Sequence, residues 1–240
     1  MIVLGLDSTA KVAAAGIYDG ERVLAEERIE STMTQSELLL PLARKALSAA
    51  GLSFSDVDLY ALTLGPGSFT GVRIGVGLVK GLVFDKDIPC AGVSILEALS
   101  ENLLPFEGIA APVLDARRDQ VYNALFKCEG GRLVRLCEDR VLPLDELIGE
   151  LKESYPACPV LFAGDGYDKA AARAAAVGLT VLDVASEKRL PSGAAVARLG
   201  YAAHLRGESV SGEELAPVYL RLPQAERERL ERENKKSEDR

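Results

Sequence analysis

The stretch Gly65-Pro66-Gly67-Ser68-Phe69-Thr70-Gly71-Val72-Arg73-Ile74-Gly75 decides the fold. An apolar run, Leu59 to Leu64, leads into it, and a helical pattern leads out as far as Phe84. It is therefore a strand-to-helix turn at the end of a strand, where α/β sheets place their functional residues. Pro66-Gly67 suits the two central positions of a type II turn, because Pro fixes φ and Gly accepts positive φ. Ser68 or Thr70 is placed to cap the helix that follows. That helix contains Gly71, Gly75, Gly77 and Gly81, each costing about 1 kcal/mol against Ala in a helix interior. At roughly 100° per residue, Gly71 and Gly75 share one side and Gly77 and Gly81 lie on another. Val72, Val76, Val79 and Val83 form one apolar stripe, and Ile74, Leu78 and Leu82 a second, with Arg73 and Lys80 between them. A helix apolar on two sides must be buried on two sides. Its own sheet can cover one. The other needs more of the chain or another protein.

Working outward, Ile2 to Leu6 reads as a buried strand ending at Asp7, and Ser8-Thr9-Ala10-Lys11 as a turn. Val12–Tyr18 and Arg22–Ile29 are strands joined by the hairpin signal Asp19-Gly20. Thr34-Gln35-Ser36-Glu37 fits a capping box. The helix it opens runs through Leu38, Leu42, Ala46 and Leu47 to a stop at Gly51. Pro41 inside it implies either a later start or a kink. After the glycine-bearing helix come a strand, Ile88–Val93, and a helix through Leu96 and Leu99 that ends before Pro105.

The pattern then restarts. Ile109–Leu114 is a strand ending at Asp115, Ala116-Arg117-Arg118-Asp119 a turn, and Val121–Phe126 and Leu133–Val141 are strands. A helix over Pro143–Glu153, a strand over Val160–Ala163, the turn Gly164-Asp165-Gly166, a helix over Tyr167–Val177, a strand over Leu179–Val184 and a helix over Pro191–Leu205 follow. Each half ends its first strand on Asp and puts a glycine-flanked turn after its fourth. The chain is an internal duplication of a βββαβα unit, two related lobes of mixed sheet with helices on their faces. The expected division is 1–105, 106–222, whose last helix can pack back on the first lobe, and a charged tail, 223–240.

Composition narrows the function. With 240 residues, 48% hydrophobic, the chain can bury the cores of two lobes. A net charge of −8 argues against a main nucleic-acid-binding surface, which needs clustered Lys and Arg. Cys90, Cys128, Cys137 and Cys158 are far apart, form no CxxC pair and read as reduced thiols. The N-terminus reads as a first strand rather than a signal peptide, and no apolar run approaches a membrane span. A cytoplasmic protein is expected. The lone histidine, His204, cannot supply a His-based metal site, and there is no G-x-S-x-G elbow and no P-loop. Metallopeptidase and serine hydrolase chemistry are disfavoured.

A duplicated βββαβα lobe is the signature of the actin, hexokinase and Hsp70 type of nucleotide-binding fold, the actin-like ATPase (ASKHA, RNase H-like) α/β class. Asp7-Ser8 and Asp115 occupy its hairpin positions, and Gly164 and Gly166 those of an adenosine turn; all five are candidates for vestigial nucleotide contacts. Neither hairpin has the glycines that let backbone N–H groups close around phosphate. The plain alternative is that the aspartates cap turns.

The Gly65–Gly75 stretch resembles the hallmark of the TsaB (YeaZ) family, partner subunits of the bacterial tRNA threonylcarbamoyladenosine machinery. Leu4-Gly5-Leu6-Asp7-Ser8, Thr34-Gln35 with Pro41, Gly92-Val93-Ser94, Asp115-Ala116-Arg117 with Val121-Tyr122, Gly164-Asp165-Gly166 and Tyr219-Leu220-Arg221 agree with it. Met33 stands where similar proteins often carry His. The resemblance implies a catalytically inert subunit with no metal and no tightly bound cofactor, ATP/ADP and magnesium belonging to its partners. It implies pairing with a TsaD-type transferase subunit, a TsaE-type ATPase joining the pair, and a homodimer when alone. tRNA is then the substrate of the complex. The contact falls on the helices after Thr34 and Thr70, with Gln35, Leu38, Leu42, Gly67, Ser68, Phe69, Thr70, Gly71, Val72, Arg73, Gly75, Val76, Val79 and Lys80 as candidate interface residues. The alternative is an independent ATP-using enzyme of the actin fold or a glycoprotease-like peptidase.

Overall fold

The computed structural model describes residues 1–31 and 33–221, so the charged tail at 223–240 lies outside the described residues. The first half forms β1 (Val3–Asp7), β2 (Val12–Tyr18), β3 (Val23–Glu30), α1 (Gln35–Ala49), β4 (Leu59–Gly65), α2 (Phe69–Leu82), β5 (Cys90–Ser94) and α3 (Ile95–Glu101). Its five strands lie in the order β3-β2-β1-β4-β5. β1 runs parallel to β4 and β4 to β5, while β2 is antiparallel to both its neighbours. β1 is buried throughout and β4 nearly so. Both are covered on two faces, which is why they read as continuous apolar runs rather than alternating ones.

On one face, Leu39, Ala43 and Leu47 of α1 and Val72, Val76 and Val79 of α2 meet Leu4, Leu6, Ile17 and Leu62 of the sheet. α1 starts at Gln35, directly after its N-cap Thr34, and the capping box forms. The Thr34 N–H donates to Glu37 Oε2 at 2.9 Å, and the helix continues through Pro41.

The second half forms β6 (Gly108–Asp115), β7 (Gln120–Asn123), β8 (Phe126–Glu129), β9 (Arg132–Arg135), β10 (Arg140–Pro143), α4 (Leu144–Ser154), β11 (Val160–Ala163), α5 (Tyr167–Ala176) and α6 (Gly193–Leu205). Here two expectations need correction. The strands expected over Val121–Phe126 and Leu133–Val141 are each broken in two. The cause lies in β6, whose Pro112 has no N–H to give a ladder. β6 pairs with β8 up to Ala110 and with β7 from Val113 onward. Across the gap, the Asn123 side chain donates to the Pro112 carbonyl at 2.9 Å. The strand expected over Leu179–Val184 shrinks to one bridge, Val181 to Val160. Taking β7/β8 and β9/β10 as bent single strands, the second sheet repeats the order of the first.

α6 belongs to the second half in sequence but covers the free face of the first sheet. Ala195, Val196 and Ala197 pack on Val3, Leu59, Ala61 and Ala91. Main chain meets main chain there: a Cβ on Gly5 would collide with the Gly193 carbonyl, and one on Gly16 with the Ala194 backbone. Glu26 holds the start of α6, accepting from Ser192 Oγ at 2.6 Å and from the Ala194 N–H at 3.1 Å. A carboxylate at a helix N-terminus is favoured by the helix dipole. α3 joins the lobes through Ile95, Leu96 and Leu99, which pack with Leu114, Phe126 and Leu161. Among the described residues no helix is long and apolar enough to cross a membrane.

Candidate functional site

Two features stand out: a cleft of about 770 Å³ between the lobes, and the outward face of α2. The turn from β4 into α2 borders both. It is not a type II turn. Gly67 has φ +157, far from the +80° of that turn, and the Ser68 N–H donates to Thr9 O at 2.8 Å in the neighbouring hairpin. Thr9 holds the turn so closely that a Cβ on Gly67 would lie 2.6 Å from its carbonyl oxygen. Ser68 caps α2, its Oγ accepting from the Gly71 N–H at 3.2 Å.

The glycines of α2 serve different ends. Gly71 and Gly75 face Ser8: Ser8 Oγ donates to Gly71 O at 2.9 Å, and a Cβ on Gly75 would lie 2.5 Å from that same Oγ. Their lack of side chains lets α2 lie down on the end of β1. Gly77 and Gly81 have nothing within 4 Å of a Cβ position. With half-buried Ile74, Leu78 and Leu82 they form one outward stripe at helical spacing. Phe84, 81% exposed, follows at its end.

The expected interface residues divide accordingly. Leu38, Leu42, Gly71, Val72, Gly75, Val76 and Val79 are buried inside this chain. In this structure they support the surface rather than form it, because their side of each helix faces the chain's own sheet. Ser68, Thr70 and Arg73 are exposed, and Gln35, Gly67, Phe69 and Lys80 half-buried. Gln35 Nε2 donates to Ala10 O at 3.0 Å, and Lys80 Nζ to Glu213 O at 3.0 Å. Met33, 52% exposed, lines a hollow between the starts of α1 and α2.

In the cleft, the residues at the expected phosphate and adenosine positions are engaged by the chain's own turns. Asp7 is fully buried and accepts from the Thr9 N–H at 3.0 Å and Thr9 Oγ1 at 3.1 Å. It is turned into the lobe and does not line the cleft. Asp115 does line it, but its carboxylate accepts from the Arg117 N–H at 2.8 Å, closing its own turn. The Asp115 N–H donates to Asp165 Oδ1 at 2.8 Å, so a second carboxylate occupies the place an anion would need. Burial pushes the Asp165 carboxyl up. Gly164 and Gly166 pack against Val113 O, and the Gly166 N–H donates to it at 3.1 Å. Their role is to seat α5 on β6. Among the described residues no group of three His, Cys, Asp or Glu could hold a metal ion.

Burial raises the Asp7 carboxyl from its ordinary 3.8 to about 6, against the lowering effect of hydrogen bonds from Thr63 and Thr9. The fold therefore binds this proton more tightly than the unfolded chain does. Stability from this group is complete below pH ~4 and is lost as the pH rises through about 6; at neutral pH the ionised group costs roughly 3 kcal/mol. Asp7→Asn is expected to stabilise the protein by about 1–3 kcal/mol near neutral pH and to change little below pH ~4. Urea unfolding at several pH values checks it, and a loss of stability at neutral pH would refute it.

Sequence reasoning saw the second stripe of α2 but left Ile74, Gly77, Leu78, Gly81 and Leu82 out of the site, because periodicity does not say which stripe faces the sheet. It also missed Asp165 as the brace of the Asp115 hairpin.

Two lobes that repeat one strand order, with their hairpins facing a common cleft, define the two-lobed actin-like (ASKHA) α/β class. Residues 29–228 match the family model of TsaD, tRNA N6-adenosine threonylcarbamoyltransferase. The chain is 34% identical over 164 residues to the tRNA threonylcarbamoyladenosine biosynthesis protein TsaB of Bacillus subtilis, covering 68% of this chain and 71% of that one. It is 26% identical to the protein of that name from Escherichia coli over 92% of this chain and 95% of the other. A Pseudomonas aeruginosa structure described as similar to peptidase YEAZ superposes with a TM-score of 0.77 at 30% identity, over 92% of this chain and 99% of that one. The chain belongs to the TsaB (YeaZ) family.

Proposed function

We propose that this chain is a non-catalytic scaffold and activating subunit of a tRNA threonylcarbamoyladenosine transferase complex. It pairs through the outward faces of α1 and α2 with a TsaD-type subunit, which carries out threonylcarbamoylation of the adenosine next to the anticodon. A TsaE-type ATPase joins the pair, and ATP/ADP and magnesium are held by the partners. Alone, the chain forms a homodimer through the same face, and the complex works in the cytoplasm. The observation that carries this reading is the α2 stripe Ile74, Gly77, Leu78, Gly81 and Leu82: apolar, partly exposed, and thinned by two glycines at which a Cβ would meet nothing within 4 Å. Small residues let another backbone approach closely, and an apolar stripe of this kind marks an interaction site. The match to the TsaD model supports it too, since a homodimer face can then pair with a related chain.

The test is co-expression with a TsaD-type subunit, followed by a tRNA modification assay with each subunit omitted in turn. Modification is expected to need this chain although the chain alone modifies nothing. A monomer that leaves modification unchanged when omitted would sink the proposal.

The cleft supports a rival reading, an ATP-using enzyme or glycoprotease-like peptidase, because its volume is that of a ligand site. Calorimetry of the isolated chain with ATP and magnesium separates the two. Micromolar binding would favour the enzyme.

A further inference from the structure

Val218, Tyr219, Leu220 and Arg221, at the end of the segment 216–221, line the inter-lobe cleft. The Val218 N–H donates to Leu64 O at 2.8 Å, near the end of β4, and Val218 O lies 2.6 Å from where a Cβ on Gly65 would stand. Tyr219 stacks on Phe69 with ring centroids 4.7 Å apart and planes at 28°. Its hydroxyl accepts from Arg73 Nε at 2.9 Å, and the Arg73 guanidinium carbon lies 3.9 Å from the Phe69 ring centroid. Two residues on, Arg221 Nη1 donates to Ala116 O at 2.6 Å, in the hairpin of the second lobe. Six residues thus fasten the end of β4, the first turns of α2 and the β6–β7 hairpin to one another.

The fastening is made of surface groups. Val218 is 51% exposed and Tyr219 41%. One main-chain hydrogen bond, one stacked pair of rings and two guanidinium hydrogen bonds, all facing water in part, give a segment of low local stability. The contrast with α6 is large, because that helix is sealed to the sheet main chain against main chain.

We propose that residues 216–221 are a displaceable strap that closes the inter-lobe cleft, with Tyr219 as its fastening. Lifting the strap opens the cleft and, in the same movement, releases Phe69 and Arg73 at the start of α2. Arg73 adjoins Ile74 of the outward stripe, so the state of the cleft is felt on the face of α2. The strap holds whatever α2 binds, and its test needs no partner.

Hydrogen–deuterium exchange on the full chain tests it, comparing wild type with Tyr219→Ala, Tyr219→Phe and Arg221→Gln. In the wild type the Val218 amide is expected to be protected. Tyr219→Ala is expected to speed exchange about tenfold or more in 216–221 and in the 66–70 turn together, with α6 unchanged. Tyr219→Phe keeps the stack, loses the bond to Arg73 and falls between. Arg221→Gln cuts the tie to Ala116 O and is expected to speed exchange at 220–221 while Val218 stays protected. If Tyr219→Ala fails to fold, the Phe and Gln variants decide by these same patterns. A wild-type Val218 amide exchanging at the unprotected rate overturns the proposal, as does a folded Tyr219→Ala chain in which the Val218 amide exchanges as slowly as in the wild type.

Discussion

Glutamate at Gly77 is expected to abolish copurification with a TsaD-type subunit and to leave the chain folded. Gly77 is exposed, and a Cβ there meets nothing within 4 Å. In a helix interior the change from Gly is favourable by up to about 1 kcal/mol, so the melting temperature should hold or rise. In a complex, the carboxylate would sit among Ile74, Leu78 and Leu82, stripped of water and without a partner. An unpaired charge buried in this way costs several kcal/mol, enough to weaken binding by about 100-fold or more. tRNA modification by the reconstituted complex should fall with it. Full complex formation by a folded Gly77→Glu chain would show that the partner meets another surface. The same charge at Gly75 or Val76 is a poor probe, because it would strike Ser8, Leu62 and the chain's own core.

Alanine at Gly16, one methyl group, is expected to destabilise the chain more than a charge on the face of α2. The new Cβ would fall inside the Ala194 backbone at the start of α6. A flexible side chain could swing away, but main chain on main chain cannot, so helix and sheet must separate. Overpacking of a close-packed interior costs about 1–3 kcal/mol and occasionally more, and here the upper end applies. For a chain of this size that lowers the melting temperature by roughly 6–12 °C. Gly5→Ala, which meets the Gly193 carbonyl, should behave alike, and Gly77→Ala should not. Thermal denaturation of the three variants settles it: a Gly16→Ala midpoint close to wild type would mean that the α6 contact is looser than the structure has it.

Gly16 and Gly77 are equal to sequence reasoning, since both are glycines inside a regular element. What separates them is distance to a part of the chain far away, Ala194 in one case and open space in the other. Local chemistry was legible wherever the partner is near in sequence. The capping box at Thr34, the Ser68 cap and the Asp19-Gly20 hairpin are pairings of residues a few positions apart. Pro112 shows the limit. Its missing N–H breaks the paired strand at 124–125, and the residue is visible in the sequence. That it stands opposite Ala124 and Leu125 depends on register, which no local pattern states.

For the Gly65–Gly75 stretch and the helix it opens, the sequence by itself determined that the helix has two apolar stripes and two glycine pairs, because helical periodicity follows from backbone geometry alone. It also determined the duplication of the lobes, which is an order of elements. Only the tertiary structure decided that Val72, Val76 and Val79 are buried on the sheet while Ile74, Leu78 and Leu82 stay half exposed beside Gly77 and Gly81. It alone showed that Gly71 and Gly75 admit Ser8, that α6 closes the first sheet from the other lobe's sequence, and that Tyr219 crosses back to Phe69 and Arg73. These are contacts between residues far apart in the chain. Which surfaces meet is set by how the packed elements exclude water together, a property of the assembled lobes rather than of any one stretch.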